Sequence, residues 1–332
     1  QGNCATMDVL ERAGVHEADL LIAATSADEI NLLCCLTAHS MNGRLHTIAR
    51  IRNPEYTDQI IKMREAFPLS LTINPEKQAA LEIERLLKYP GFLKRDTFAK
   101  GRVEIVELRV DKDSLLCNHT LADLDSVVGC KVLICAVLRN GSAVAPDGNY
   151  TLLAGDRIFV TAPTDTLETL LKNLKIITHK VRRVLLCGGG RLSYYLAKQL
   201  DQGGIAVRLI EQDYDRCLQL ANLLPGVTII QGDASDERLL ESEGMDDCDA
   251  LVTMTGLDEL NMVISLQGTI RKVPQVITKL GRMDNSYILD QLPIGSTVSP
   301  KQLCCNTIVR YVRALHNQEG AALSVHTIAD GQ

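Results

Sequence analysis

The sequence has no tryptophan, and aromatic residues make up only 4% of its 332 positions, so its cores must be packed from aliphatic side chains. It lacks a long apolar run. The longest clean one is Val132–Leu138, against the roughly 20 residues a membrane-spanning helix needs. It lacks a basic excess: 35 Lys and Arg face 41 Asp and Glu, a net charge of −6. That balance argues against an electrostatic nucleic-acid binder. No GxSxG, HExxH or Walker A pattern occurs. There are eleven cysteines, but no CxxC pair and no Cys/His cluster at zinc spacing. Cys34, Cys35, Cys135, Cys187, Cys304 and Cys305 sit in apolar surroundings. They read as buried reduced thiols, with a redox or metal role as the alternative. The seven histidines are scattered and read as surface or packing residues.

What is present is ordinary globular material. Hydrophobic residues make up 46% and charged residues 23%, which excludes a mainly disordered or collagen-like chain. The length suggests two or three domains. An internal repeat organises them. Gln1-Gly2-Asn3 returns as Gln231-Gly232-Asp233, and Thr25-Ser26-Ala27-Asp28-Glu29-Ile30-Asn31 returns as Thr255-Gly256-Leu257-Asp258-Glu259-Leu260-Asn261. Residues 1–32 and 231–262 are identical at 11 of 32 positions without a gap. Ile48-Ala49-Arg50-Ile51 continues the match against Ile277-Thr278-Lys279-Leu280, and Thr72-Ile73-Asn74-Pro75 against Thr297-Val298-Ser299-Pro300. Residues 1–88 and 231–313 are thus copies of one unit.

Short apolar runs at Val184–Cys187, Val207–Ile210, Val227–Ile230, Ala250–Thr255, Gln275–Leu280 and Gly295–Val298 read as parallel strands. Helical stretches at Leu192–Leu200, 214–224, Asp236–Glu243, Asp258–Ile270 and 284–291 fall between them. This alternation predicts an α/β fold, a doubly wound parallel sheet of the Rossmann kind. The first copy has no counterpart of residues 180–230 and so no glycine loop, and the chain opens with Gln1. Both features lead us to expect a natural chain with more residues before Gln1. Between the copies, residues 98–178 read as a small α+β module. Its predicted strands are Val103–Leu108, Lys131–Leu138 and Arg157–Thr161, with turns at Asn140-Gly141, Pro146-Asp147-Gly148 and Ala154-Gly155-Asp156 and a helix over Thr164–Leu174. The expected domains are 1–88, 98–178, 180–299 and 300–332, the last opening a second small module.

Gly188-Gly189-Gly190-Arg191-Leu192-Ser193 follows a predicted strand and precedes a predicted helix. That is the context of a dinucleotide fingerprint, in which the backbone approaches a pyrophosphate at a helix N-terminus. Ser193 takes the place of the usual third small residue. Glu211 closes the next strand, where an acid accepts hydrogen bonds from a ribose and favours a free 2′-hydroxyl. The structural alternative for the loop is a tight turn alone. Asp233-Ala234 ends the third strand, either as a ligand wall or as a helix N-cap. Thr255-Gly256 ends the fourth at the topological switch point. Asp258 and Glu259 read as helix-capping and charging residues. Arg50 and Lys279 are bases in matching apolar strands, either paired to the Asp-Glu of their own copy or reaching a phosphate.

Taken together, Leu186–Gly190, Leu209–Asp213, Gln231–Ala234 and the doubled Thr-x-x-Asp-Glu-x-Asn resemble the RCK (or KTN) domain family, the regulatory subunits of bacterial Trk-type potassium uptake systems. The resemblance covers essentially the whole chain. It implies Rossmann-like N-lobes at 1–88 and 180–299 and a C-lobe at 98–178. It implies a non-enzymatic, cytoplasmic protein held at the inner face of the plasma membrane. The implied ligand is NAD(H) or ATP/ADP. The implied partners are further copies of the chain, from a dimer to a tetrameric ring, and an integral-membrane potassium transporter subunit of the TrkH/TrkG kind. Gly188, Gly190 and Ser193 would line the pyrophosphate loop with Gly189, Arg191 and Leu192. Glu211 would hold the ribose, Asp233 and Ala234 would flank the adenine, and Lys279 would approach phosphates. Asn3, Cys4, Thr25 and Arg50 hold the equivalent places in the first copy. The rival reading is an NAD-dependent oxidoreductase, which needs a catalytic acid or base beside a substrate pocket.

Overall fold

A computed structural model describes residues 1–62, 69–88, 94–98, 103–139, 141–174, 181–281 and 292–316. The first lobe carries α1 (Met7–Arg12), β1 (Leu20–Ala23), α2 (Asp28–Met41), β2 (His46–Arg50), α3 (Pro54–Lys62), β3 (Leu71–Ile73) and α4 (Pro75–Lys88). Its strands are parallel, in the order β1-β2-β3. Cys35, Ala38, Ala49 and Ile51 are buried between sheet and helices.

The middle unit is an antiparallel sheet of β4 (Lys94–Phe98), β5 (Val103–Arg109), β6 (Leu133–Arg139), β7 (Ser142–Val144) and β8 (Arg157–Pro163), in the order β4-β5-β8-β6-β7. Helices α5 (Leu124–Val128) and α6 (Thr164–Asn173) accompany it. Sequence patterning indicates three of these strands. β4 is largely polar in sequence, and all three residues of β7 are exposed, so neither carries the alternation that marks a half-buried strand. Arg139 donates to both oxygens of Asp156, at 2.7 and 2.6 Å, and Leu153 N–H adds a third bond at 2.8 Å.

The second lobe contains β9 (Arg183–Cys187), α7 (Arg191–Gln202), β10 (Ala206–Glu211), α8 (Tyr214–Leu223), β11 (Thr228–Gln231), α9 (Glu237–Ser242), β12 (Ala250–Thr253), α10 (Asp258–Ile270), β13 (Gln275–Lys279), β14 (Ser296–Val298) and α11 (Pro300–His316). Its six strands are parallel in the order β11-β10-β9-β12-β13-β14. The order reverses between β9 and β12, and the crevice above their carboxyl ends is the switch point of a doubly wound sheet. Val184 to Cys187 are all buried, as a parallel strand covered on both faces requires. The helix predicted at 284–291 and the module predicted to begin after α11 lie outside the described residues. All eleven cysteines are free thiols, and burial pushes those of Cys34, Cys35 and Cys187 up to about 12, whereas Cys135 and Cys304 are half-buried and Cys305, on the outer side of α11, is exposed, against the buried reading. Among the described residues no helix is long and apolar enough to cross a membrane.

The lobes are joined by α4. Pro75 opens this helix, where a missing N–H costs nothing. Ala79, Ala80, Ile83, Leu86 and Leu87 lie along it and are buried in one cluster with Leu192, Leu196 and Leu200 of α7. The paired alanines let the helices approach closely. Gln275 Nε2 donates to the Leu86 carbonyl at 2.6 Å. In turn α11 runs along α4. Cys304 Sγ lies 3.4 Å from Gln78 Oε1, and the Tyr311 hydroxyl reaches His46 Nδ1 at 3.2 Å. Both helices thus make contacts between the lobes of one chain.

Two stability measurements test this packing. Ile83→Ala removes a fully buried side chain from the joint between the lobes, and urea unfolding should show a loss of about 3 kcal/mol. In the middle unit, burial pushes the Asp156 carboxyl up, but the Arg139 and Leu153 hydrogen bonds outweigh it and leave the group below its ordinary value. Its contribution is complete above the ordinary carboxylate pKa and is lost as pH falls through the lowered one. Arg139→Met should therefore destabilise the protein at neutral pH, with the deficit shrinking in strong acid when followed by thermal unfolding across pH.

Candidate nucleotide-binding cleft

β9 ends at Cys187 and the chain turns through Gly188, whose φ is +101°. A Cβ there would lie 2.9 Å from the Thr255 backbone, so the turn has room only for glycine. A Cβ on Gly189 would meet Glu211 Oε2 at 2.7 Å. Gly190, at the N-cap of α7, faces open space and supplies no capping side chain. The first N–H groups of α7 are thus left for a ligand, at the positive end of the helix dipole. Ser193 is fully buried and its hydroxyl donates to the Gly188 carbonyl, closing the loop on the helix.

Glu211 caps the end of β10. Its Oε2 accepts from Gly189 N–H at 2.5 Å and its Oε1 from Asp213 N–H at 2.8 Å. The carboxylate therefore braces the glycine loop, while each oxygen keeps a second lone pair for a hydroxyl. Arg216 Nε donates to the Gly189 carbonyl at 2.8 Å from the other side. Ala234 is buried, and Asp233 is held low by hydrogen bonds from Ser235. The N-cap alternative for Asp233 is corrected: Asp236 caps α9, accepting from Arg238 N–H at 3.0 Å.

The doubled Thr-x-x-Asp-Glu-x-Asn is a brace. Asn261 Oδ1 accepts from Thr255 N–H and hydroxyl, both at 2.8 Å, and Asn261 Nδ2 reaches the Lys279 carbonyl at 3.0 Å. In the first lobe Asn31 does the same for Thr25, at 2.7 and 2.8 Å, and for the Arg50 carbonyl at 2.9 Å. Asp258 and Asp28 do not cap their helices. Asp258 Oδ2 accepts from Gly281 N–H at 2.7 Å, and Asp28 Oδ2 from Arg52 and Asn53 N–H, both at 2.8 Å. Each acid thus clips the end of the neighbouring strand. Lys279 makes the internal pair expected of it, with Asp258 at 3.5 Å, and also lines the cleft. Arg50 donates to the Thr25 carbonyl, as Lys279 does to that of Thr255 at 3.1 Å. Asn3 Oδ1 accepts from Ala5 N–H at 3.1 Å, and Cys4 packs on the first-lobe core. Asn3, Cys4, Thr25 and Arg50 do not line the cleft.

The cleft has a volume of about 640 Å³, within the range of small-molecule sites. From the second lobe its lining includes Gly188 to Leu192, Glu211, Asp233, Ala234, Thr255, Gly256 and Lys279. The first lobe adds Arg52 and Glu76. Arg52 Nε donates to Glu76 Oε1 at 2.7 Å, and this bond holds its guanidinium above the ordinary value. Glu76 Oε2 is buried without a partner. Sequence reasoning missed this pair, because it lies over a hundred residues from the loop and only the docking of α4 brings it there. Its one trace is a difference between copies, Pro75-Glu76 against Pro300-Lys301. Arg52, Arg191 and Lys279 thus set positive charge around helix N–H groups, and Glu211 sets a hydroxyl acceptor beside them.

Residues 1–67 and 184–300 match the model of the TrkA-N domain, and residues 105–175 that of the TrkA-C domain. The chain is 34% identical over 314 residues to a Trk system potassium uptake protein TrkA homolog of Archaeoglobus fulgidus, covering 95% of this chain and 71% of that one. It is 30% identical over 336 residues to the Trk system potassium uptake protein TrkA of Haemophilus influenzae, covering 100% and 72%. Among solved structures, the GsuK channel bound to NAD superposes with a TM-score of 0.65 at 19% identity, covering 96% of this chain and 55% of that one. The human SLO3 gating ring superposes with a TM-score of 0.54 at 14% identity, covering 96% and 74%. These structures share the fold, with its parallel Rossmann-like sheets. By its domain matches and by relatives aligned over nearly all of its own residues, this chain belongs to the TrkA family.

Proposed function

We propose that the chain is a nucleotide-sensing regulatory subunit of a Trk-type potassium uptake system, with NAD(H) or ATP/ADP bound in the cleft over Gly188–Ser193. The observation that carries this is one convergence. The uncapped start of α7, the Glu211 carboxylate and the Lys279 and Arg52 cations all border the same cleft. The helix start and the cations suit phosphates, and Glu211 suits a ribose hydroxyl. The relatives named as Trk potassium uptake proteins support the potassium connection, and the GsuK structures described as bound to NAD and to ADP support the ligand class.

In this reading residues 1–88 and 180–299 are the N-lobes, 98–178 the C-lobe, and 300–332 the crossover helix and the opening of a second C-lobe. The chain works in the cytoplasm, assembled with further copies against a membrane-embedded potassium transporter subunit. The nucleotide acts by linkage. It shifts the assembly only by the difference between its affinities for the two states of that assembly. Arg52 belongs to one lobe and the glycine loop to the other, so a bound polyphosphate adds a charged link between them. It competes with Glu76 for the guanidinium. No group of the protein needs to transfer a proton or a hydride.

Calorimetric titration with NADH, NAD⁺, ATP and ADP tests the site. Glu211→Ala should weaken the preferred ligand by about tenfold or more, the loss of charge-assisted hydrogen bonds to a ribose. Arg52→Ala should weaken ATP by about tenfold and ADP less, because the cation stands opposite the loop. Absence of binding by all four nucleotides would sink the site. Turnover of a hydroxy-acid or aldehyde substrate with NAD(H) would favour the oxidoreductase instead. Potassium flux through the reconstituted transport system, responsive to nucleotide with the wild-type chain and unresponsive with Glu211→Ala, tests the regulatory role.

A further inference from the structure

Tyr195 lies one turn into α7, the helix that starts at the glycine loop. Its ring is buried in the core shared by the two lobes. Its hydroxyl accepts from Asn74 Nδ2 at 3.0 Å and donates to the Arg52 carbonyl at 3.3 Å. Asn74 is also buried, and its Oδ1 accepts from Lys77 N–H at 2.9 Å, capping α4. On its other side the Arg52 peptide is fixed through its N–H, which Asp28 Oδ2 holds at 2.8 Å. The backbone of Arg52 is therefore pinned at both ends, although residues 51–53 belong to no helix or strand. Its guanidinium extends from that fixed point to the cleft wall, against Glu76.

We propose that Tyr195 is a positioning residue for the nucleotide cleft. Through Asn74 and the Arg52 carbonyl it holds the first lobe's guanidinium opposite the second lobe's phosphate loop, and so sets how strongly the cleft prefers a nucleotide with one more phosphate. The inference deepens the nucleotide reading above and rests on it. Its physical basis is pre-organisation. An arginine on a free loop must lose backbone and rotamer freedom when it meets a phosphate. One whose peptide is already fixed loses less, so more of the charge attraction appears as affinity. The hydroxyl sits on the very helix that receives the phosphates. The spacing between loop and guanidinium is thereby set by a contact within the protein rather than by the ligand. Diphosphate contacts made by the helix start alone do not depend on this arrangement.

Tyr195→Phe keeps the buried ring and deletes only the hydroxyl. Asn74→Asp keeps the oxygen that caps α4 and removes the amide that donates both to Tyr195 and, at 3.3 Å, to the Arg52 carbonyl. Both are titrated with ATP and with ADP beside wild type and Arg52→Ala, and the unliganded melting point of each is recorded. The expectation is a wild-type preference for ATP. Each of the two variants should lose about fivefold in ATP affinity and less than about twofold for ADP, the scale of one hydrogen bond. They then repeat the Arg52→Ala pattern in weaker form. Equal losses for ATP and ADP would show a hydroxyl that merely holds the lobes together, and unchanged ATP affinity would show one that does not act on Arg52. Either result overturns the proposal while leaving the cleft reading intact. A wild type that binds both nucleotides equally overturns it as well. A wild type that binds neither overturns this inference, and one that also fails to bind NADH and NAD⁺ overturns the cleft reading with it. Hydrogen exchange of residues 51–53 without ligand supplies an independent readout: it should rise in Tyr195→Phe, and unchanged exchange counts against the mechanism.

Discussion

The cleft exists because α4, a helix that belongs to the first lobe's sheet order, is buried in the core of the second. Ala79, Ala80, Ile83, Leu86 and Leu87 lose their water against α7 rather than against their own sheet alone. Burying aliphatic area of this kind is the main driving force available to a chain without tryptophan. Its consequence is geometric. A helix held along its length has little freedom at its start, so Asn74, Pro75 and Glu76 arrive at the mouth of the second lobe's crevice. Arg52 follows, one loop earlier. The glycine loop, the brace of Thr255 and Asn261, and the Glu211 carboxylate all belong to the second lobe. The first lobe's share of the cleft wall, Arg52 and Glu76, is there only through this docking.

The two copies use their shared motif for the same structural task and diverge where chemistry enters. Asn31 and Asn261 make matching hydrogen bonds to Thr25 and Thr255 and to the carbonyls of Arg50 and Lys279. That equivalence explains why the motif is legible at both places. Beside it, the base differs. Both bases donate to the threonine carbonyl of their own copy, but Lys279 also pairs with Asp258 and borders the cleft, which Arg50 does not border. The residue after the helix-opening proline changes sign, from Glu76 to Lys301. A duplicated frame has thus been kept while the charges around it have moved apart.

Local signals were the readable ones. Gly188-Gly189-Gly190, the buried run before it and Glu211 lie within a short stretch of sequence, and their physics is equally local: a positive φ, a backbone contact and an N–H accepted by a carboxylate. The parallel-sheet fold was legible for a related reason, since short aliphatic runs alternating with amphipathic helices leave a periodic trace. Ser142–Val144 left none, because exposed edge residues have no apolar alternation. Arg52, Glu76, Asn74 and Tyr195 left almost none either. Each is a polar residue whose meaning depends on a partner in the other lobe, and no spacing within one lobe encodes that. Asp258 shows the opposite error. It lies in the first turn of its helix, where it adds the expected negative charge, but the N-cap is Leu257 and its carboxylate accepts from Gly281 N–H beyond the neighbouring strand.

A link between lobes matters for regulation only if its energy is commensurate with the equilibrium it moves. A tenfold difference in affinity between two states is about 1.4 kcal/mol, enough to shift one balanced equilibrium from even to ten to one. Moving a population from 1:99 to 99:1 takes a factor of about ten thousand, roughly 5.5 kcal/mol. One guanidinium on one phosphate does not supply that, since charge-assisted hydrogen bonds contribute roughly 1.5–3 kcal/mol each. Four such sites acting on one concerted transition do, because their factors multiply. The arithmetic therefore ties the modest chemistry of the cleft to assembly. A single-chain sensor built on Arg52 would be graded, and a ring of four would switch. It also explains the value of a rigid mounting for Arg52. Any slack in the arginine lowers the factor at every site, and the loss compounds with the number of copies.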